Sequence, residues 1–298
     1  NNITQDHKSL DELRTLFREF TAKAGKAVAN ADDPETAALL PAMAPGKTIT
    51  FSLSNPAADL HANRLEPTPE GIAFKVTDRR TDETARVLLP VPGRHNAANA
   101  LAALAAALAC GVTLAEAASA LGSFAGLRRR FEVVGAARGV TVIDDFAHNP
   151  DKIRATLETL HDFPGRLLVM FQPHGFGPLR LHRDAFIEGF VRDLHPGDAL
   201  VMPDPVYYGG TVDRSVASID IVQAIQAGGR SAWAFADREA CGDKLLALAR
   251  PGDRIVIMGA RDDTLAQFAA GLVDRLAGGS ATAMDEHSAP PRRVRNRA

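Results

Sequence analysis

The chain has 298 residues, 46% hydrophobic and 23% charged, a formal net charge of -2 and two cysteines. That composition is globular and long enough for two domains. It supplies no overall basic field for nucleic acid, and no apolar run reaches the roughly 18 residues that would cross a bilayer as a helix. Cys110 and Cys241 stand far apart without CxxC spacing, which argues against a disulfide scaffold or a zinc site and fits a reducing cytoplasm.

The opening NNITQDH carries no initiating methionine or leader and reads as the interior of a longer chain. After Ser9, the recurrence of Leu10, Leu13, Leu16, Phe17 and Phe20 predicts a surface helix with one buried face. A short strand ending at Asn30 follows, then an acidic turn and a helix capped near Asp33 with Pro34 at its first position. Residues 41–48, PAMAPGKT, end in the letters of a P-loop. Pro41 replaces the first glycine that such a loop needs, and the alternating ITFSL after it predicts a strand rather than the helix that would hold phosphate, so the stretch reads as a turn. From 48 to 91 the pattern is mostly β, with PTPEG as a hairpin turn, and helices are expected over 96–109 and 114–124.

Beyond residue 126 strands and helices alternate. FEVVG, VTVIDDF, RLLVMFQ, DALVMPD, SAWAF and RIVIMG are separated by helices over 150–160, near 183–193, and over 218–226, 238–249 and 265–276. Four of these strands, strongly apolar and separated by helices, predict a mostly parallel sheet covered on both faces. Ligands of such sheets sit beyond the C-terminal strand ends, which puts DDFAHNP, QPHGFGP, PDPVYYGG and GARDD on one rim. Residues 279–298 are small, polar and then basic, the composition of a disordered tail.

The stretch with most chemistry is GRHNAANALAALAAA, residues 93–107. A glycine precedes a helix whose first turns display His95, Asn96 and Asn99. An asparagine offers a donor and an acceptor side by side, the pair that reads an adenine edge. On spacing alone that reading balances a second, in which Asn96 only caps the helix and Asn99 lies in an interface. In GARDD, Arg261 has the charge to meet a carboxylate or phosphate, set against a plain strand-to-helix loop capped by Asp263. No G-x-G-x-x-G follows any strand, which weakens a stand-alone dinucleotide enzyme.

GRHNAANALAA, LRRRFEVVG and VIDDFAHNP, in that order and spacing, resemble the Mur ligase family of ATP-dependent, amide-forming ligases of peptidoglycan synthesis. Within it the chain is most similar to the branch that joins L-alanine to UDP-N-acetylmuramate, and DDFAH is also similar to the ligase that reattaches recycled murein tripeptide. The resemblance implies an α/β protein: the second half of a central ATP-binding domain over 1–125, then a Rossmann-like C-terminal domain with a mostly parallel sheet over 126–278. It implies a P-loop and a UDP-sugar domain upstream. ATP and Mg2+ are the implied cofactors, and UDP-N-acetylmuramate with an amino acid or short peptide the implied partners.

Residue by residue, the resemblance implies that Asn96 and Asn99, with His95, contact adenine; that Arg130 reaches the ATP phosphates; that Asp145 lies near the ribose; and that His148 faces the reaction centre. His7 corresponds to a magnesium-contacting histidine. The chain departs from the L-alanine branch where Gly175 and Phe176 stand in place of an arginine and a tyrosine, and where Phe146 and Asn149 replace tyrosine and histidine. His148, Asn149, His174, Arg180 and Arg261 are therefore the candidates for binding substrate and incoming amine. A scaffold that has lost catalysis is the other class the sequence leaves open.

Overall fold

The computed structural model describes residues 8–43, 46–205 and 213–278. His7, Tyr207, Tyr208, Gly209 and Gly210, together with the segment 279–298, lie outside the described residues. The elements run α1 (Leu10–Lys23), β1 (Ala27–Asn30), α2 (Pro34–Leu39), β2 (Thr48–Ser52), β3 (Leu60–Thr68), β4 (Gly71–Asp78), β5 (Glu83–Leu89), α3 (Arg94–Ala109) and α4 (Leu114–Leu121). They continue through β6 (Glu132–Ala137), β7 (Val140–Asp145), α5 (Pro150–His161), β8 (Leu167–Gln172), α6 (Phe176–Leu181), α7 (Arg183–Asp193) and β9 (Ala199–Pro203). The last are α8 (Ser218–Ala227), β10 (Ser231–Phe235), α9 (Arg238–Leu248), β11 (Arg254–Gly259) and α10 (Thr264–Gly278). Two compact units result: residues up to Phe131 together with Asp151–Pro164, and Glu132–Pro150 together with the chain from Gly165 onward.

In the first unit a five-stranded sheet has the order β1-β2-β3-β4-β5, parallel from β1 to β3 and antiparallel from β3 to β5. Gly46 turns the chain at φ 76° and Thr48 opens β2, so the P-loop letters lead into a strand. Apolar residues of β2 to β5, among them Phe51, Leu60, Phe74, Val76 and Val87, pack on the alanine-rich face of α3, where Ala97, Ala100, Leu101, Leu104 and Ala105 are buried. Small side chains let that helix lie close to the sheet. Helix α4 is capped reciprocally by Thr113 and Glu116, as the spacing predicts, but it ends at Leu121.

Helix α1 is capped by Ser9 and Glu12 and tied to α2 by a two-pronged Arg14–Glu35 pair, both bonds 2.8 Å. The face predicted to be buried is not: no residue of α1 is buried, and Leu16, Phe17 and Phe20 are 45%, 48% and 71% exposed. That much contiguous apolar surface favours association. At tens of micromolar this chain is expected to sediment as associated species, and F17S/F20S is expected to shift it toward monomer. A wild-type chain that stays monomeric would refute this.

The second unit is a six-stranded sheet, β10-β9-β8-β11-β7-β6, with every pairing parallel except β6 with β7. Its central strands are buried on both faces, which is why they read as continuous apolar runs. At the N-terminal ends of β8 and β11, Arg166 grips Asp253 through two bonds of 2.6 and 3.2 Å and donates to the Leu248 carbonyl at 2.7 Å. Asp198 accepts from the backbone N–H groups of Leu167 and His195, each at 2.8 Å. These bonds lock the end of the sheet opposite the rim.

Candidate active site

The nucleotide candidates lie at the start of α3. The helix begins at Arg94, two residues before the sequence pattern suggested, and its N-cap is Gly93 at φ 104° and ψ 139°. Asn96 is therefore not the cap. Its Nδ2 donates to the Pro92 carbonyl at 2.7 Å, fastening the preceding loop to the first turn, and its Oδ1 accepts from Asn99 Nδ2 at 3.4 Å. The Asn99 carbonyl oxygen and second N–H remain side by side on an exposed residue, the donor and acceptor that an adenine edge requires.

His95 is half-buried, with Nδ1 3.4 Å from the Thr159 hydroxyl of α5, within the same unit. The Thr159 hydroxyl donates to the Ala155 carbonyl at 2.8 Å, leaving its oxygen facing His95 Nδ1. Thr159 had no sequence signal, because its role depends on a partner 64 residues away.

Arg130 ends a tight turn: its N–H bonds the Leu127 carbonyl at 3.1 Å, and Arg129 and Phe131 on either side sit at φ 57° and 53°. Arg130 is exposed and Arg129, not singled out by the sequence, is the buried member of the arginine run.

Elsewhere in the first unit Asp32 joins the ends of β1 and β2, accepting from the Ser52 and Ser54 hydroxyls and from Leu53 N–H at 2.6 Å. Burial by itself would raise the Asp32 carboxyl, but these bonds outweigh it and hold it below the usual range.

On the second unit, His148 follows the end of β7 and His174 the end of β8. The structure brings these two together, edge to face with ring centres 5.4 Å apart. His148 also packs edge-on against Phe146 at 5.3 Å, and its Nδ1 lies 2.8 Å from the Phe146 carbonyl oxygen. A carbonyl only accepts, so Nδ1 carries the proton and the neutral ring's lone pair is on Nε2. Asp145, 8% exposed, ends β7 opposite Met258 of β11, and Asn149 is half-buried just before α5.

Gly175 opens α6 at φ 148°, a short helix within QPHGFGPLR that the sequence pattern had not suggested. Arg180, at the exposed end of α6, faces Asp213 at 3.6 Å. Arg261 is exposed in the loop after β11 and holds φ 61°, a left-handed conformation uncommon for a long side chain.

Beside it is a network that sequence reasoning missed. Gln172, buried at the end of β8, donates to Asp262 at 2.8 Å; Arg238 reaches Asp262 at 3.2 Å and Thr264 at 2.7 Å; and Thr264 N–H bonds the Asp262 carboxylate at 3.0 Å. Burial opposes ionisation of Asp262, yet the bonds from Thr264 and Gln172 and the charge of Arg238 keep its carboxyl below the usual range. Asp262 thus accepts a bond from the first residue of α10. The one visible signal was a glutamine closing the apolar run LLVMF. Burial pushes the Cys241 thiol up to about 12, so it is not a nucleophile at neutral pH.

Among the described residues no three His, Cys, Asp or Glu side chains come together as a metal site. They therefore do not by themselves fit a Mg2+ ligand set, and His7 lies outside them.

The profile of the Mur ligase middle domain matches residues 1–107 and that of the Mur ligase, glutamate ligase domain matches residues 129–261. This chain belongs to the Mur ligase family. Mur ligases are ATP-dependent. A UDP-N-acetylmuramate–L-alanine ligase of Agrobacterium fabrum is 34% identical over 290 residues, 92% of this chain and 60% of the relative. The solved UDP-N-acetylmuramate-alanine ligase of Thermotoga maritima shares the fold with a TM-score of 0.66 at 23% identity, over 90% of this chain and 55% of that one. A murein peptide ligase of Psychrobacter arcticus does so with a TM-score of 0.62 at 23% identity, over 90% and 55%. The chain thus spans about 60% of the length of the first curated relative. No helix among the described residues is long and apolar enough to cross a membrane.

Proposed function

We propose that the protein carrying this chain is the Mur ligase that joins L-alanine to UDP-N-acetylmuramate at the expense of ATP, in the cytoplasm. The reading is supported by the presence, in a chain of this family, of an exposed amide, Asn99 held by Asn96, in the first unit and of an imidazole, His148, bonded through Nδ1 to the Phe146 carbonyl, in the second. The muramate carboxylate attacks the γ-phosphate of ATP, giving an acyl phosphate and ADP. The amine of the amino acid then attacks the acyl carbon, and inorganic phosphate leaves as the amide forms.

Asn96, Asn99 and His95 hold the base, Asp145 the ribose and Arg130 the phosphates, whose charge must be offset as it shifts during transfer. His148 Nε2 takes the proton that the attacking amine must lose, and the Phe146 carbonyl keeps the ring in the tautomer able to do so. Asn149, His174, Arg180 and Arg261 form the set from which the amine's carboxylate is bound, with Arg261 pre-set by its backbone. Mg2+ would come with the nucleotide, since it is commonly held by phosphate oxygens and few protein groups.

A second reading, ligation of a murein peptide, is favoured by Gly175 and Phe176: they leave α6 opening without the arginine that would clamp a single amino acid. Phosphate release with ATP, Mg2+ and UDP-N-acetylmuramate, screened against amino acids and murein peptides, separates the readings. Turnover with L-alanine is expected. Turnover only with a peptide would favour the recycling ligase, and none with any amine, in a protein that still binds ATP, would leave a scaffold.

A further inference from the structure

The part of the first sheet formed by β3, β4 and β5 has one face in the core and the other open. On the open face Asn63 of β3 pairs with Lys75 of β4, and Lys75 pairs with Arg86 of β5. Two cations thus stand directly opposite each other, an arrangement that destabilises a sheet. A bulge in β3 between Asn63 and Glu66 brings a third, Arg64, whose backbone is held at φ 52°. Bulges re-aim side chains and recur next to functional sites.

Arg64, Lys75 and Arg86 line a cavity of about 300 Å³ with Glu66, Phe74, Thr84 and Ala85. Glu66, the single acid among them, bonds Arg86 at 3.0 Å, but both side chains are more than 60% exposed, so the pair is weak and screened. The lining therefore keeps a surplus of two positive charges in a chain whose net charge is -2. Lys75 is on the central strand of the three, so protection of a sheet edge does not account for it. The volume is at the lower end of the range for small-molecule pockets.

We propose that this cavity is an anion site for a small phosphorylated molecule, separate from the adenine-reading residues of α3. Paired phosphate oxygens accept the forked donors of Arg64 and Arg86 while Lys75 supplies a point charge between them. The opposed cations are then a standing cost of binding, relieved when the anion enters.

The test uses the protein carrying this chain, saturated with a non-hydrolysable ATP analogue, with inorganic pyrophosphate as probe. Calorimetry is expected to give a submillimolar Kd that weakens at least tenfold in R64Q/K75Q, with acetate binding far more weakly. At low salt, K75Q without ligand is expected to melt above the parent, and pyrophosphate to raise the Tm of the parent and not of R64Q/K75Q. No pyrophosphate binding, binding undiminished in R64Q/K75Q, or acetate as tight as pyrophosphate would overturn the proposal. None of these readouts needs ligase turnover, so the result stands apart from the assignment of the reaction.

Discussion

Replacing His148 with alanine is expected to lower kcat by about 10²- to 10⁴-fold while leaving the KM for ATP within about threefold of the parent. The asymmetry follows from the role proposed for His148, since the nucleotide is held by other residues and only the amine's proton passes to Nε2. The Phe146 carbonyl fixes Nδ1 as the donor, so the neutral ring is in the tautomer that the proposed role needs. The limb of the pH–rate profile that reports the free base should vanish in H148A. His174 touches the same ring edge to face and takes no proton in the proposed step, so H174A is expected to cost only about tenfold through loss of positioning. Steady-state kinetics on the parent and both variants checks this. A larger loss in H174A than in H148A would reverse the roles.

Glycine 93 carries the second large effect. At φ 104° it adopts a backbone that L side chains rarely reach, and a Cβ there would lie 2.6 Å from Thr159 Oγ1 and 2.8 Å from the His95 ring. Strain of that kind costs about 1–3 kcal/mol, and forced repacking about 1–3 more. G93A is therefore expected to lose roughly 3 kcal/mol or more of stability and to weaken ATP at least about tenfold, because the displaced segment carries His95, Asn96 and Asn99. Adding T159A removes the nearer clash but not the strain, so G93A/T159A should recover part of the stability and only part of the affinity. Denaturant titration and nucleotide binding on the three variants give the answer. G93A with parental stability would mean that the α3 entry tolerates a side chain.

The alternation of apolar strands with helices after residue 126 was legible because parallel strands buried on both faces leave long runs of Val, Ile, Leu and Met. So was the rim, because polar residues follow each such run. Helix α6 was not, since Gly175, Gly177 and Pro178 in six residues argue locally for a loop, yet the chain turns there at a left-handed glycine. Three arginines in a row gave no means of seeing that Arg129 is the buried one. The amphipathic pattern of α1 gave the helix correctly and its burial wrongly, because periodicity defines a face without supplying what covers it. At the candidate site the asparagines and His148 were visible as motif letters. The Gln172–Asp262–Arg238 network was not, because Gln172 and Asp262 are 90 residues apart and meet only when β8 and β11 pair.

That pairing also sets an order on synthesis. Strand β11 is the last strand of the chain among the described residues, yet it lies between β7 and β8 and is the neighbour of both. Until residues 254–259 emerge from the ribosome, β6 with β7 and β8 with β9 and β10 are two ribbons with nothing to join them. Each then offers a long apolar edge to any other nascent chain or to a chaperone. The second unit can close only after almost all of it has been made, and a chain stopped before residue 254 would lack both β11 and α10 and could not form the sheet.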